Sequence, residues 1–307
     1  MSVNKLDIEF ANAICYSGYR ENQKPGGDSP SFEEVIEDLY LLSKNWKYIR
    51  LYDCSEHSKM TLQIIKDEKL DIKVMIGAYI NAEVNNPNCP WGGVYSNKTL
   101  AENKINNKNA IKEVIDLANQ YSDIIFAISV GNEASVEWND HMVPAENIIN
   151  YALEVKNSTN QPVTFCENYL PWLNKLEELA KIVDIISIHT YPVWEYKTID
   201  EAMSYTKQNY YDVANKYPNK SVIITEAGWT TNSNGRGIEE HNANQELQKR
   251  YYSELMQWSN ENKILTFVFE AFDEPWKGSS DLMEPEKHWG LFTVNRKPKE
   301  VLKELFS

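Results

Sequence analysis

The sequence lacks the features of a membrane protein, a disulfide-rich protein or a metalloprotein. No run of about 20 apolar residues occurs, which excludes an evident membrane-spanning helix. The four cysteines form neither a CxxC pair nor a zinc-ligand spacing, so no disulfide framework or zinc site is implied. The five histidines are scattered and form no HExxH motif. We therefore expect no metal and no other cofactor.

Phosphate-binding motifs and positive charge are also scarce. Neither GxGxxG after a strand nor GxxxxGK[ST] occurs. Lysine and arginine total 31 against 45 aspartates and glutamates, for a formal net charge of −14. Such a surface repels nucleic acid and anionic membrane faces. We expect no nucleic-acid partner and no membrane insertion, and a neutral ligand is the easiest fit.

What the sequence does contain is a regular alternation of apolar runs and amphipathic stretches. The predicted strands are Ala13–Tyr16, Tyr48–Tyr52, Lys73–Tyr79, Ile124–Val130, Val163–Cys166, Asp184–His189, Ser221–Thr225 and Leu265–Ala271. The predicted helices are Ser31–Ser43, His57–Glu68, Asn109–Tyr121, Pro144–Lys156, Pro171–Lys181, Ile199–Lys216, Asn242–Asn260 and Pro298–Leu305. Strict alternation predicts an α/β fold with a parallel sheet. About eight units favour a closed (β/α)₈ TIM barrel, one domain over residues 1–307, above an open doubly wound sheet.

Two carboxylates follow predicted strands in this arrangement. In such barrels, catalytic groups lie at the carboxyl ends of strands and in the loops after them. Glu133 ends the run Ile-Ser-Val-Gly-Asn-Glu, and Glu226 follows Val-Ile-Ile-Thr. A carboxylate in this setting costs solvation free energy unless function retains it. Strands four and seven lie across the barrel mouth from one another, so the two side chains can converge over its centre.

A pair of carboxylates suits the cleavage of glycosidic bonds. One carboxyl group, protonated, donates to the leaving oxygen, while the other, ionised, attacks the anomeric carbon. We predict Glu133 as acid/base and Glu226 as nucleophile, separated by about 5–5.5 Å as in a retaining double displacement. Helix capping or a salt bridge would explain a single glutamate equally well, but is less favoured for two with these flanks. Metal binding is less favoured still, because His189 is the one histidine placed near the mouth.

Seven segments resemble those of glycoside hydrolase family seventeen, the β-1,3-glucanases and related transglycosylases. They are Ile49–Asp53, Met75–Gly77, Gly131–Glu133, His189–Pro192, Thr225–Trp229, Phe272–Lys277 and Trp289–Phe292. They occur in the family's order and span nearly the whole chain. The resemblance implies a barrel, retention of configuration and endo-acting cleavage of a linear β-1,3-glucan of the laminarin type. Pro275-Trp276 and the loop of residues 230–237 depart from the family's plant members, which leaves tolerance of branches open.

Ten further residues at the mouth complete the predicted substrate site. They are Tyr16, Arg50, Tyr52, Asn81, Asn132, Tyr191, Trp229, Glu274, Trp276 and Lys277. The resemblance implies that Asn132 bonds the sugar 2-hydroxyl, that Tyr191 donates to Glu226, and that Glu274 and Lys277 form a polar pair beside the acid/base. Rim packing of Tyr191 and a surface salt bridge are the structural alternatives. Trp229 and Trp276 are the candidates for stacking on sugar, whereas packing is favoured for three other tryptophans, Trp138, Trp172 and Trp194.

Other functions remain open on the same residues. A transglycosylase would use the same pair, with a sugar hydroxyl intercepting the glycosyl-enzyme before water. A glycosidase of another β-glycan, a non-catalytic glycan-binding barrel and an isomerase or aldolase barrel are less favoured. Because polymeric glucan does not cross membranes readily, we expect extracellular or periplasmic action by a monomer, although the first residues lack the apolar core of a signal peptide.

Overall fold

Eight parallel strands close into a barrel in the computed structural model, which describes residues 9–306. The strands are β1 (Ala13–Cys15), β2 (Tyr48–Leu51), β3 (Lys73–Gly77), β4 (Ile125–Asn132), β5 (Val163–Asn168), β6 (Ile185–Thr190), β7 (Ser221–Ala227) and β8 (Thr266–Val268). Each strand pairs with the next in chain order, and β8 pairs with β1. The predicted (β/α)₈ TIM barrel is therefore confirmed. That residues 1–307 form a single domain stays a prediction, since residues 1–8 and 307 lie outside the described range.

Helices surround the barrel and bury their apolar faces against the strands. They are α1 (Phe32–Leu42), α2 (Glu56–Asp67), α3 (Asn97–Gln120), α4 (Ala145–Ser158), α5 (Tyr169–Asn174), α6 (Glu177–Ile182), α7 (Ile199–Lys216) and α8 (Gln245–Asn262). Short 3₁₀ turns cover Glu240–Asn242, Pro285–Lys287 and Glu300–Leu302. Across residues 9–306, no helix combines the length and apolar character that crossing a membrane requires.

Three predicted helices differ from the structure. Helix α3 begins at Asn97, twelve residues before the prediction, where Ser96 caps the backbone N–H of Thr99. Its first half is mostly polar and mostly exposed, so it carries no clear apolar periodicity to detect. The predicted helix Pro171–Lys181 divides into α5 and α6, because the chain leaves helical geometry at Lys175 and Leu176 is fully buried. The predicted C-terminal helix is a single 3₁₀ turn.

The segment that closes the barrel is held by a buried ion pair. Arg296 donates to both carboxylate oxygens of Asp38 on α1, at 2.7 and 2.6 Å, and to the carbonyl oxygen of Gly18 at 2.8 Å. Arg20 adds a second guanidinium at 3.2 Å from Asp38. This contact ties the chain near its C-terminal end to α1 and to the loop after β1.

Replacing Asp38 by alanine is expected to lower the free energy of unfolding by about 3–5 kcal/mol, because it leaves Arg296 buried without a counter-charge. Chemical denaturation measures this change. The matched control is Glu37→Ala, whose exposed carboxylate pairs with Arg20 at 2.8 Å, and for which we expect less than about 1 kcal/mol. Equal losses in the two variants would contradict a structural role for the buried pair.

Candidate active site

The segment that carries Glu133 has an unusual backbone. Gly131 has a φ of +146°, and a Cβ there would lie 2.8 Å from Ile80 Cδ1 and 2.9 Å from Phe165 Cε2, so only glycine fits. Glu133 has a φ of +47°, a left-handed conformation that is uncommon for non-glycine residues. The pairing of β4 with β5 shifts register just before Asn132. This local turn places Glu133 at the mouth, with 29% of its side chain exposed.

The two predicted carboxylates come together at the mouth of the barrel. One oxygen of Glu133, one of Glu226 and Nδ1 of His189 all lie within 4.8 Å of one another. Two carboxyl groups about 5–5.5 Å apart are typical of retaining glycosidases, whereas inverting enzymes hold them about 6.5–9.5 Å apart. Oxygens this close favour the shorter of the two spacings, and retention of configuration stays a prediction.

Glu226 is buried and held by three donors. Arg50 Nη1 lies 2.5 Å and the Tyr52 hydroxyl 3.0 Å from Oε1, while the Tyr191 hydroxyl lies 2.5 Å from Oε2. Burial alone would raise the pKa of Glu226, but the charges of His189 and Arg50 and the Tyr191 hydrogen bond lower it to about 2. The carboxylate is thus ionised over the whole working range of an enzyme, as a nucleophile must be. The predicted contact from Tyr191 to Glu226 is present.

Removing Arg50 is expected to move the acidic limb of the pH profile. With Arg50→Met the pKa of Glu226 rises, because a positive charge in contact is lost, and we expect an upward shift of about 1–3 pH units. Ionised Glu226 is then lost at a higher pH than in the parent, so kcat/KM falls earlier on acidification. The measurement is kcat/KM against pH, with Arg20→Met, an arginine paired with Asp38 instead, as control. If the acidic limb of the profile does not move in Arg50→Met, Arg50 does not control the pKa of Glu226.

Arg50 also orients Asn132, the residue before Glu133. Its Nη2 donates to Oδ1 of Asn132, so the amide NH₂ of Asn132 is the group left for a sugar hydroxyl. On the other side, the carbonyl oxygen of Asn132 contacts Nε2 of His141 at 2.8 Å, and His141 Nδ1 contacts Asp140 at 2.8 Å. Both the side-chain amide and the main-chain carbonyl group of Asn132 are therefore held in place. The contact with the 2-hydroxyl stays a prediction.

Lys277 joins two buried carboxylates rather than one. Its Nζ lies 2.8 Å from Glu270 Oε2 and also contacts Glu274, while Trp276 Nε1 donates to Glu274 at 3.1 Å. Burial and the charge of Glu274 raise the pKa of Glu270. Burial also acts to raise the pKa of Glu274, but the charge of Lys277 and the hydrogen bonds with Glu270, Lys277 and Ser17 together lower it. The opposite directions of the two shifts favour a proton on Glu270 rather than on Glu274. A surface salt bridge is the wrong description.

Two predicted substrate residues face away from the mouth. Trp229 is 1% exposed, and its Nε1 donates to the carbonyl oxygen of Asn242 at 2.8 Å while its ring packs on Tyr251 of α8. Tyr16 is equally buried, and its hydroxyl donates to Asp38 of α1 at 3.3 Å. Both side chains fill the layer between strands and helices, so the predictions that Tyr16 and Trp229 bind substrate are wrong.

The remaining predicted residues lie in mixed surroundings. Trp276 is half-buried and can present a ring face. Asn81 is half-buried, and its backbone N–H and carbonyl oxygen are bound by the side chain of Asn107. Trp172 is buried and donates to the carbonyl oxygen of Ser187, and Trp194 packs on Trp289 at 6.2 Å, so packing is confirmed for these two. Trp138 is instead partly exposed.

Sequence reasoning missed two residues of the site. His189 is fully buried and places Nδ1 2.8 Å from Glu133 Oε1. The signal for it is its position at the end of the sixth predicted strand, two residues before Tyr191. Glu286 is half-buried. Burial raises the pKa of Glu286 to about 7, Lys277 opposes this, and the charges of Glu133 and Glu226 add to the rise. Its place just before the segment Trp289–Phe292 was the signal.

The atoms of Glu133, His189 and Glu226 are also close enough together to ligate one metal ion. The donors of this set already have partners, because Glu226 contacts Arg50 at 2.5 Å and His189 contacts Glu133 at 2.8 Å. These contacts account for the cluster as an ion-pair network.

The four cysteines, Cys15, Cys54, Cys89 and Cys166, are buried and free.

The chain is similar in sequence to known glycoside hydrolases. The model of the BtgE/BtgC glycoside hydrolase domain matches residues 13–290. A probable glucan endo-1,3-beta-glucosidase, btgC, of Aspergillus terreus is 28% identical over 303 residues, a match that covers 89% of this chain and 42% of the relative. The chain thus spans about two fifths of the length of the curated relatives it matches.

Solved structures share the fold. An endo-laminarinase from Formosa Hel1_33_131 superposes with a TM-score of 0.81 at 28% identity, covering 96% of this chain and 86% of that one. A glycoside hydrolase family 17 beta-1,3-glucanosyltransferase from Rhizomucor miehei gives a TM-score of 0.74 at 20% identity, covering 95% and 96% of the two chains. At that identity, the second likeness shows the fold alone.

Proposed function

The chain belongs to the BtgE/BtgC glycoside hydrolase domain family, and we propose that it is a retaining, endo-acting hydrolase of linear β-1,3-glucan, related to glycoside hydrolase family seventeen. One observation carries the mechanism, namely that the carboxylate oxygens of Glu133 and Glu226 lie within 4.8 Å at the barrel mouth. This spacing suits direct attack on the sugar, because an inverting enzyme needs room for a water molecule between base and substrate.

In the first step, Glu226 attacks the anomeric carbon and the bond to the leaving oxygen breaks. Glu133 gives its proton to that oxygen, so one oligosaccharide leaves as an alcohol and the other remains as an ester of Glu226. Arg50, Tyr52 and Tyr191 hold the attacking carboxylate in place. In the second step, Glu133 takes a proton from water, the hydroxide oxygen bonds to the anomeric carbon, and Glu226 is released as the carboxylate.

The substrate class is supported by the relatives and by charge. The names of the Aspergillus proteins specify endo-1,3-beta-glucosidases, and the Formosa enzyme is named an endo-laminarinase. The net charge of −14 favours a neutral polysaccharide over an anionic one. We propose action outside the cytoplasm, extracellular or periplasmic, because the polymer does not cross membranes readily, and action as a monomer.

A β-1,3-glucan transglycosylase is the second candidate, and exposed aromatic rings favour it. Tyr79, Trp91 and Trp138 are 40%, 60% and 36% exposed, on the loops that follow β3 and β4. These loops flank Glu133, the side on which a leaving sugar departs and an acceptor sugar must enter. Exposed aromatic faces bind sugar rings well, so a seated acceptor would compete with water for the glycosyl-enzyme.

The test is incubation with a linear β-1,3-glucan, a branched β-1,3/1,6-glucan and a β-1,4-glucan. Products are resolved over time by chromatography, and the anomer first formed is identified by NMR. Short β-1,3 oligosaccharides released first as the β-anomer are the expected result. Products longer than an oligosaccharide substrate would favour transglycosylation. The α-anomer, or no turnover of either β-1,3 substrate, would refute the proposal.

A further inference from the structure

A single ring nitrogen of His189 faces both carboxylates of the pair. His189 lies on β6 in register with Glu226 on the neighbouring strand β7, and its ring is fully buried. Nδ1 lies 2.8 Å from Oε1 of Glu133 and 3.4 Å from Oε2 of Glu226. A hydrogen on Nδ1 can therefore interact with either carboxylate without any movement of the backbone.

The acidic surroundings favour the charged form of this ring. Burial by itself lowers the pKa of His189, but the charge of Glu226 and the contacts with Cys166 and Glu133 raise it to about 10. Arg50 is the opposing group, with Nη1 3.4 Å from Nε2. The other acidic groups that bear on the pair are Glu167 on β5 and Glu286 near the closing segment. Ionised Glu226, whose Oε2 lies 3.4 Å from Nδ1, favours the imidazolium against the opposing charge of Arg50.

We propose that His189 is a positioning residue whose positive charge changes its ion-pair partner between the two chemical steps. Before the first step, ionised Glu226 balances the imidazolium, and Glu133 holds the proton that it will donate. After the step, Glu226 is an uncharged ester and Glu133 has lost its proton. The imidazolium, 2.8 Å from Glu133, then pairs with that carboxylate and stabilises it as the base that the second step needs.

No proton leaves His189 in this cycle. Water gives its proton to Glu133, its oxygen bonds to the anomeric carbon, and the electron pair of the ester bond returns to Glu226, which becomes the partner of the imidazolium again. The inference rests on the proposed double displacement. It adds the specific expectation that loss of His189 slows the second step more than the first.

The experiment uses His189→Asn with an activated aryl β-laminaribioside, whose leaving group departs without acid assistance. We expect the second step to slow by about 10- to 100-fold, part of the 10²- to 10⁴-fold that general base catalysis supplies. A burst of released phenol should then precede a slow steady state. Azide attacks the ester without a base, so it should restore the steady-state rate and yield the β-glycosyl azide.

The matched control is His57→Asn, because His57 is also a buried histidine but touches neither carboxylate of the pair. It should show neither the burst nor the azide effect. Equal slowing of both steps by His189→Asn, with no response to azide, would overturn the inference. So would a neutral His189 ring in the free wild-type enzyme or in its 2-fluoroglycosyl form, read from ¹⁵N-histidine chemical shifts, a measurement that needs no variant.

Failure of the proposed function is recognised separately. Wild-type enzyme treated with an activated 2-deoxy-2-fluoro-β-laminaribioside should accumulate an ester on Glu226, identified by mass spectrometry of peptides. If no ester forms, the double displacement itself is refuted. If the ester forms and azide leaves His189→Asn unchanged, only the role of His189 is refuted.

Discussion

Glu226→Ala is expected to lower kcat on linear β-1,3-glucan by about 10⁴-fold or more, on the order of other losses of a catalytic nucleophile. The variant keeps Glu133 but lacks the carboxylate that attacks the anomeric carbon in the proposed first step. Arg50 would then lie buried without its counter-charge, and some loss of stability should accompany the loss of activity.

Azide separates the loss of a nucleophile from the loss of the fold. In Glu226→Ala a small anion can enter the space of the missing carboxylate and attack an activated aryl β-laminaribioside from that side, giving the α-glycosyl azide. The matched control is Glu83→Ala, which removes a buried glutamate bound by Asn107 and Tyr151 and should form no α-azide. A β-azide from Glu226→Ala would instead assign this residue as the acid/base.

Glu133→Ala is expected to lower kcat on linear β-1,3-glucan by about 10²- to 10⁴-fold, the contribution of a general acid. The sugar hydroxyl of the polymer is a poor leaving group and needs the proton. A dinitrophenyl leaving group does not, so the first step with that substrate should slow far less. The difference between the two substrates is the measurement, with Glu37→Ala, which removes an exposed carboxylate on α1, as the control.

Added azide should give the β-glycosyl azide from Glu133→Ala, because attack then occurs on the glycosyl ester of Glu226. The two variants thus yield opposite anomers from one reagent, which assigns the two roles independently. Equal losses on both leaving groups, with no azide product, would show that Glu133 supports the structure rather than protonates the leaving oxygen.

Much of the fold was available from the sequence because it depends on local pattern. Eight apolar runs alternate with amphipathic stretches, and each predicted strand overlaps a strand of the barrel. The first half of α3 was missed, since its residues are polar and mostly exposed and leave no periodic signal. The division between α5 and α6 was missed because the pattern of Pro171–Lys181 continues through the break.

The candidate site was predicted less evenly. Glu133 and Glu226 follow buried strands, and that position alone predicts convergence in a closed barrel. Tyr16 and Trp229 also follow strands, yet both side chains pack towards helices. A strand end places a residue near the mouth, but its side chain can point to either face of the barrel wall. Where the register between strands shifts, as it does beside Glu226, sequence position does not tell whether a side chain points into the barrel or towards the helices.

The sequence by itself determined the barrel, the acidic character and the two glutamates of the pair, because all three depend on residue type and order along the chain. Only the tertiary structure decided the partners of those glutamates: Arg50 and Tyr191 on Glu226, and His189 between Glu226 and Glu133. These groups come from different strands, and closing the barrel brings them within hydrogen-bond distance. The protonation of a buried carboxylate depends on such neighbours, and their positions along the chain do not show that they are close in space.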